Sequence, residues 1–311
     1  MKRWLKGFLL TALAAVLLVG CSTQAPGSEK EEAKGGDEGD GSTKIGLSIS
    51  TLNNPFFVTL KDGAEAQAKE QGVEITTVDA QNDPAKQVSD IEDLIQQGVD
   101  VLLVNPADSA AVASAIESAN SAGIPVITVD RSAEGGEVVS HIASDNEAGG
   151  EMAGKFIVEQ LGGQGNVVEL EGIPGSSAAR ERGAGFHNIV DTEDGIEVVA
   201  KQAADFDRAK GLTVMENILQ STKDVSAVFA HNDEMALGAL QALKSAGLSD
   251  VIVVGFDATD DAVKAVEEGR MAATVAQQPQ KIGQQAVDTA VKVKKDEKVE
   301  EFIPVELELV K

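Results

Sequence analysis

The sequence predicts an α/β fold of two similar lobes, each built on a doubly wound parallel sheet. Three observations carry that reading. From Lys44 onward, short β-branched runs alternate with helix-length amphipathic segments. The runs fall into two series of five, and several are apolar without interruption, as in Val101-Leu102-Leu103-Val104. Strands that read apolar throughout are covered on both faces, as in parallel sheets flanked by helices. Repeated βαβ units build such sheets through right-handed crossovers.

Taken in order, the first series is Ile45 to Ser50, Val73 to Val78, Val101 to Asn105, Val126 to Val129 and Val138 to Ile142. The second is Val167 to Leu170, Val198 to Gln202, Ala227 to Phe229, Val251 to Val254 and Ala273 to Ala276. Helical segments end in Gly72, Gly98, Gly123, Gly247 and Gly269, just before the next strand. A left-handed helix cap asks for glycine there. Asp83 and Asp233 stand where side-chain helix caps are expected. Ala143 to Asn146 is the crossover between lobes, and with no Pro/Gly linker around it, it reads as a hinge. Two such lobes leave a cleft at the carboxyl ends of their strands, where ligands bind in this kind of sheet.

Composition excludes several functions. The chain of 311 residues carries 26 Lys and Arg against 51 Asp and Glu, a formal charge of −25. That charge repels phosphate backbones and argues against nucleic acid as a partner. A single Cys rules out a disulfide framework or a thiolate metal cluster. Three His and no Tyr leave little for metal or general-base chemistry. No phosphate-binding loop occurs, and Gly172 to Ser176 fits no dinucleotide fingerprint, so no cofactor is expected. Asp191 to Gly195 lacks the spacing of a calcium loop and reads as a surface turn.

The amino terminus reads as an export signal. Lys2, Arg3 and Lys6 precede an apolar run from Phe8 to Val19, too short to span a bilayer. It ends in Leu18-Val19-Gly20-Cys21, which resembles a bacterial lipoprotein box and implies cleavage before Cys21 and lipidation of that residue. Lipid chains tether without spanning. Loss of the three leader cations takes the charge from −25 to −28. Ser22 to Ser42 is Gly-, Ser- and Glu/Asp-rich, the composition of a disordered tether.

The strand ends carry the chemistry. Asn53-Asn54-Pro55-Phe56-Phe57 follows the first strand, Asn105 the third and Asp130-Arg131 the fourth. In the second series come Arg180 and Arg182, Asp205-Phe206, Asn232-Asp233, Phe256-Asp257 and Gln277. A sugar requires such a set. Its hydroxyls donate once and accept up to twice, matching Asp, Arg, Asn and Gln, while its C–H faces want aromatic surface. Singly, each Asn or Asp fits a turn or cap equally well. The helical stripe Phe57, Leu60, Ala64, Ala68 leaves Phe56 off its line, so at least one of the two rings is expected in the cleft. Asp130 and Asp257 also have the make-up of a glycosidase pair, a reading that sequence leaves open. Partners such as Arg131 or Arg182 are expected to keep both ionised, which suits hydroxyl binding.

Seven segments then resemble one family. They are Ser48 to Phe57, Asn105-Pro106, Ile127 to Arg131, Ser140 to Asn146, Ser177 to Gly183, Ala204 to Arg208 and Asn232 to Ala239. Together they are similar to the ribose-binding family of bacterial ABC import systems, type I periplasmic binding proteins, from about Lys44 to the end. The resemblance implies two Rossmann-like lobes joined by a three-crossover hinge, near Ser144-Asp145, Gln277-Gln278 and Val305-Glu306, with a return strand over Phe302 to Val310. It implies ring contacts from Phe56, Phe57 and Phe206, and polar contacts from Asn54, Asp130, Arg131, Arg182, Asn232, Asp257 and Gln277. By this match Asn105 and Arg180 do not touch the sugar.

The implied organisation is a signal peptide over 1–20, a lipidated Cys and acidic linker over 21–42, one lobe over 43–144 plus 278–305, and another over 145–277 plus 306–311. The implied role is non-enzymatic: an extracytoplasmic, lipid-anchored, monomeric receptor delivering D-ribose to the transmembrane subunits of an ABC permease. Alternatives are another aldose of the allose, xylose or galactose type, or chemosensory signalling through a chemoreceptor. A repressor effector domain shares the architecture, but a DNA-binding head should then precede Lys44. A sugar-processing enzyme would be separated by product formation.

Overall fold

The computed structural model describes residues 42–311; the signal, Cys21 and the acidic segment before residue 42 lie outside the described residues. The first half alternates β1 (Lys44–Ile49), α1 (Pro55–Gln71), β2 (Glu74–Asp79), α2 (Pro84–Gln96), β3 (Val101–Val104), α3 (Ala113–Ser121), β4 (Val126–Val129) and β5 (Ser140–Ser144). The second runs α4 (Asn146–Leu161), β6 (Gly165–Glu171), α5 (Ser177–Val190), β7 (Ile196–Ala203), α6 (Arg208–Ser221), β8 (Ala227–Ala230), α7 (Asp233–Ser245) and β9 (Ile252–Asp257). The chain closes with α8 (Asp260–Glu267), β10 (Ala273–Ala276), α9 (Pro279–Lys294), β11 (Phe302–Val305) and β12 (Glu308–Val310).

Two six-stranded sheets result, ordered β11-β5-β4-β3-β1-β2 and β12-β10-β9-β8-β6-β7. Their pairings are parallel except where β12 meets β10. The central strands β3, β4 and β8 are buried along their whole length, which explains their unbroken apolar sequence. On the first sheet, Leu60 and Ala64 of α1 and Ile282 and Val287 of α9 cover one face. Ile91 and Leu94 of α2 with Ile116 of α3 cover the other. Phe186 of α5 and Phe156 of α4 do the same for one face of the second sheet, and Met215, Met235 and Leu243 for its opposite face.

The chain passes between the sheets three times: from β5 into α4, from β10 into α9, and from β11 into β12. The return segment expected as one strand over Phe302 to Val310 is therefore two. β11 pairs parallel with β5, and beyond Glu306-Leu307 β12 pairs antiparallel with β10 in the other sheet. The five glycines expected to end helices all have left-handed φ, from 68° to 75°. Asp83 caps α2, accepting from Ala85 N and Lys86 N. Asp233 does not cap α7. Asn232 does, through Met235 N, while Asp233 turns inward and accepts from Thr259 and Thr274.

Candidate functional site

The carboxyl ends of both sheets converge on a small pocket between the lobes. The first lobe lines it with Asn54, Phe56, Phe57, Asp130 and Arg131; the second with Ala178, Arg182, Phe206, Asn232, Asp257 and Gln277. All ten residues singled out from sequence thus meet at one place, and none is more than 8% exposed. Ala178 is the addition. It sits inside a quoted segment but offers no polar group by which a sequence reading would select it.

Local backbone chemistry sets each group. Asn54 caps α1 by accepting from Phe56 N at 2.9 Å, leaving its amide NH2 to offer. Pro55 pre-sets the first helical turn behind it. Phe56 and Phe57 then meet edge to face, ring centroids 5.2 Å apart. Both line the cavity, although Phe57 also belongs to the helical stripe. Asn232 spends its Oδ1 on Met235 N at 3.0 Å, and its Nδ2 donates to Phe206 O at 3.3 Å.

Three lining residues hold left-handed backbone: Asp130 (φ 62°), Phe206 (φ 59°) and Asp257 (φ 116°). Such conformations cost roughly 1–3 kcal/mol each and persist where the surroundings over-determine them. At Phe206 the surroundings are visible, because a Cβ on Gly172 would overlap the Phe206 ring.

The charged groups are buried and incompletely paired. Asp130 Oδ2 accepts from Asn105 Nδ2 at 3.3 Å and lies 3.7 Å from Arg131 Nε. Asp130 Oδ1, Arg131 Nε and Gln277 Oε1 are buried without a protein partner. The Arg131 guanidinium lies against both Phe57 and Phe206, 4.9 and 5.1 Å from their centroids. Arg182 donates from Nε to Asn146 Oδ1 at 2.9 Å and from Nη1 to His231 O at 2.7 Å. Its nearest approach to Asp257 Oδ1 is 3.7 Å, while Gln277 Nε2 donates to that same oxygen at 2.9 Å.

These distances revise the expected ionisation. At 3.7 Å neither arginine hydrogen-bonds its carboxylate. Burial wins: it pushes the Asp257 carboxyl up to about 7, against the opposing pull of Arg182 and Gln277. Burial raises Asp130 too, and lowers Arg131 to about 10. A buried polar atom without a partner costs free energy until something hydrogen-bonds it. The site therefore asks for a small molecule that both donates and accepts and has apolar faces for the rings. Polyols and sugars have that chemistry.

Two strand-end residues do not line the cavity. Asn105 is buried behind Asp130, accepting from Ser50 N and Oγ and donating to Val129 O and Asp130. Arg180 is exposed and pairs with Glu134 of the other lobe. The supporting groups that sequence reading passed over are Asn146, His231 and Glu169, while the strand-end Phe256 lies behind the pocket, under the Arg182 guanidinium. Glu169, buried in a strand, accepts from His231 Nε2 at 2.9 Å, and His231 Nδ1 faces Gly172 N at 3.3 Å. A larger hollow on the outside of the second lobe, with Leu240 and Lys264 in its lining, gathers no buried polar groups and does not compete as the site.

Two parallel-sheet lobes, a three-pass hinge and a buried polar and aromatic pocket between them are the architecture of a solute-binding protein. The chain belongs to the periplasmic binding protein domain family, whose profile matches residues 45–298. It is 54% identical over 301 residues to the ribose import binding protein of Bacillus subtilis (strain 168), covering 97% of both chains. It is 56% identical over 266 residues to the ribose import binding protein of Escherichia coli (strain K12), covering 86% of this chain and 90% of the relative. Among solved structures, an ABC transporter solute binding protein from Mycobacterium smegmatis with bound glycerol superposes with a TM-score of 0.84 at 40% identity. That match covers 87% of this chain and 94% of the other.

Proposed function

We propose that this protein is the D-ribose receptor of an ABC importer. The observation that carries the reading is the cavity itself. Ten sugar-compatible side chains from both lobes converge on it. The identities above 50% to ribose import binding proteins support the choice of sugar.

The proposed cycle is closure about the three passes. In an open form each lobe presents half of the hydrogen-bond set to water. Ribose bridges the halves, satisfies Asp130 Oδ1, Arg131 Nε and Gln277 Oε1, and shifts the population to closed. Arg131 and Arg182 supply fork-shaped donors, Asp130 and Asp257 accept hydrogen bonds from sugar hydroxyls, and Phe56, Phe57 and Phe206 cover the ring faces. The closed form then presents both lobes at a fixed separation to the transmembrane subunits. The same reading includes export, lipid anchoring through Cys21 to the outer face of the cell membrane, and a monomeric, non-enzymatic role.

Titration calorimetry against ribose, allose, xylose, galactose and glucose tests the assignment. Tight one-to-one binding of ribose with the others weak supports it. Preference for another sugar overturns ribose and keeps the receptor role. Metabolic labelling with a fatty acid, with and without Cys21→Ser, tests the anchor.

A further inference from the structure

The lobes also touch outside the cavity, through a set of residues that no sugar contact explains. Ser109 lies beyond β3 and Ser132 beyond β4, both on the first lobe; Gly175 to Arg180 opens α5 on the second. Ser109 N donates to Gly175 O at 2.9 Å, and Ser132 N donates to Ser177 Oγ at 2.9 Å. Ser109 Oγ accepts from Ser177 N at 3.2 Å while donating to Ser132 O at 2.8 Å. Ser109 and Ser177 are buried, and Arg180 pairs with Glu134 at the exposed edge of the same patch.

The helix end explains why this patch is more than a chance contact. The first backbone N–H groups of a helix have no partner within it, and the preceding side chain usually supplies one. Ser176 stands at that position of α5 yet makes no capping bond. Ser109 of the other lobe takes an N–H of that first turn instead. The close approach depends on Gly175, where a Cβ would overlap the Asp108 carboxylate. That carboxylate is itself committed to Ala110 N and Ala111 N.

We infer that Ser109, Ser132 and Ser177 form an interlobe latch that caps α5 only when the lobes are closed, and so sets the closed population independently of sugar chemistry. The latch is mechanically coupled to the site. Ser132 follows Arg131 directly, and Ser177 begins the helix that carries Arg182. The buried serine bonds outweigh the Glu134–Arg180 pair, because exposed ion pairs contribute little. Apparent affinity scales with the fraction of molecules competent to close, so weakening the latch weakens every sugar by one factor.

Ser109→Ala and Ser177→Ala test this on the full chain, with far-UV circular dichroism as the folding control. The affinity arm rests on the sugar-receptor reading. There, a loss of about three- to thirtyfold is expected, in the same ratio for every sugar that binds. A second arm needs no ligand. In a Cys21→Ser background, disulfide formation between Glu134→Cys and Arg180→Cys reports how often the patches meet. Adding Ser109→Ala is expected to slow it severalfold. Unchanged cross-linking and affinity in both serine variants overturn the latch. Slowed cross-linking in a protein that binds none of the five sugars keeps the latch and overturns the ribose assignment.

Discussion

Arg182 lays its guanidinium over the face of Phe256, 3.8 Å from the ring centroid. Phe256 is fully buried and immediately precedes Asp257, so one β9 end supplies both the platform for the arginine and the carboxylate beside it. The stacking plane and the hydrogen bonds to Asn146 Oδ1 and His231 O leave Arg182 a single orientation. That pre-organisation is what a planar fork provides and a lysine lacks.

Arg182→Ala is expected to weaken ribose binding at least tenfold while the protein stays folded. Losing a charged hydrogen-bonding arm in a buried site costs roughly 1–3 kcal/mol or more, since its partners are left unpaired. Arg182→Lys should not rescue, because one ammonium cannot reproduce the stacked fork. Calorimetry of both variants checks this; wild-type affinity in either removes Arg182 from the site.

The strand-end rule made the cavity legible because ligands in doubly wound sheets bind where the strands stop. Its limits are physical. Asp130 and Asn105 both follow strands in the first lobe, and only packing distinguishes the one that lines the cavity from the one behind it. Asn232 and Asp233 compete for one cap. The choice is decided by Thr259 and Thr274, which approach Asp233 from 26 and 41 residues away. Ionisation was least legible. A nearby arginine suggests a charged Asp257, but a 3.7 Å separation within a buried site lets desolvation prevail. The return segment split because its sequence carries no signal of which sheet each half joins.

Glu169→Ala should destabilise the protein by about 1–3 kcal/mol, because burial keeps the His231 imidazole neutral and the substitution leaves its buried Nε2–H without an acceptor. Glu169 is buried, and burial alone would raise its carboxyl. The His231 hydrogen bond and the charge of Lys201 outweigh that and hold it below its ordinary value of 4.5. Its contribution is therefore present above about pH 4.5 and lost as pH falls through the depressed folded value. Urea unfolding at pH 7 and pH 4 measures both. Because the His231 carbonyl holds Arg182, sugar affinity should fall too. Glu169→Gln, which keeps an acceptor for His231 Nε2, should be milder on both counts.

Asn105→Ala tests a residue that touches the site through another. Its amide serves Ser50, Val129 and Asp130 together, and it is fully buried. Removal leaves several buried groups unpaired, costing roughly 1–3 kcal/mol of stability, and frees Asp130 to turn. Ribose affinity is expected to fall with it. Asn105→Asp should do worse, replacing a donor to Asp130 Oδ2 with a second carboxyl. Thermal unfolding with calorimetry separates the two effects, and an unchanged affinity in both variants would show that Asp130 needs no such support.

Asp257 should affect stability and binding with opposite signs. Its carboxyl is raised from 3.8 to about 7 by burial. Between those values the folded, closed chain holds a proton that the unfolded chain has released, so its contribution to stability falls as pH rises from about 4 through 7. Above pH 7 the closed, sugar-free protein carries the full cost of the buried charge. Asp257→Asn removes that charge and keeps an oxygen to accept from Gln277 Nε2. It is expected to raise the melting temperature of the sugar-free protein at pH 8, with the gain shrinking towards pH 4. The same substitution removes an acceptor for sugar hydroxyls and should weaken ribose at least tenfold at pH 8. A residue with a purely structural role would not move the two readouts in opposite directions. A variant that lost stability at pH 8 while binding ribose normally would reverse the assignment of Asp257 from ligand acceptor to scaffold.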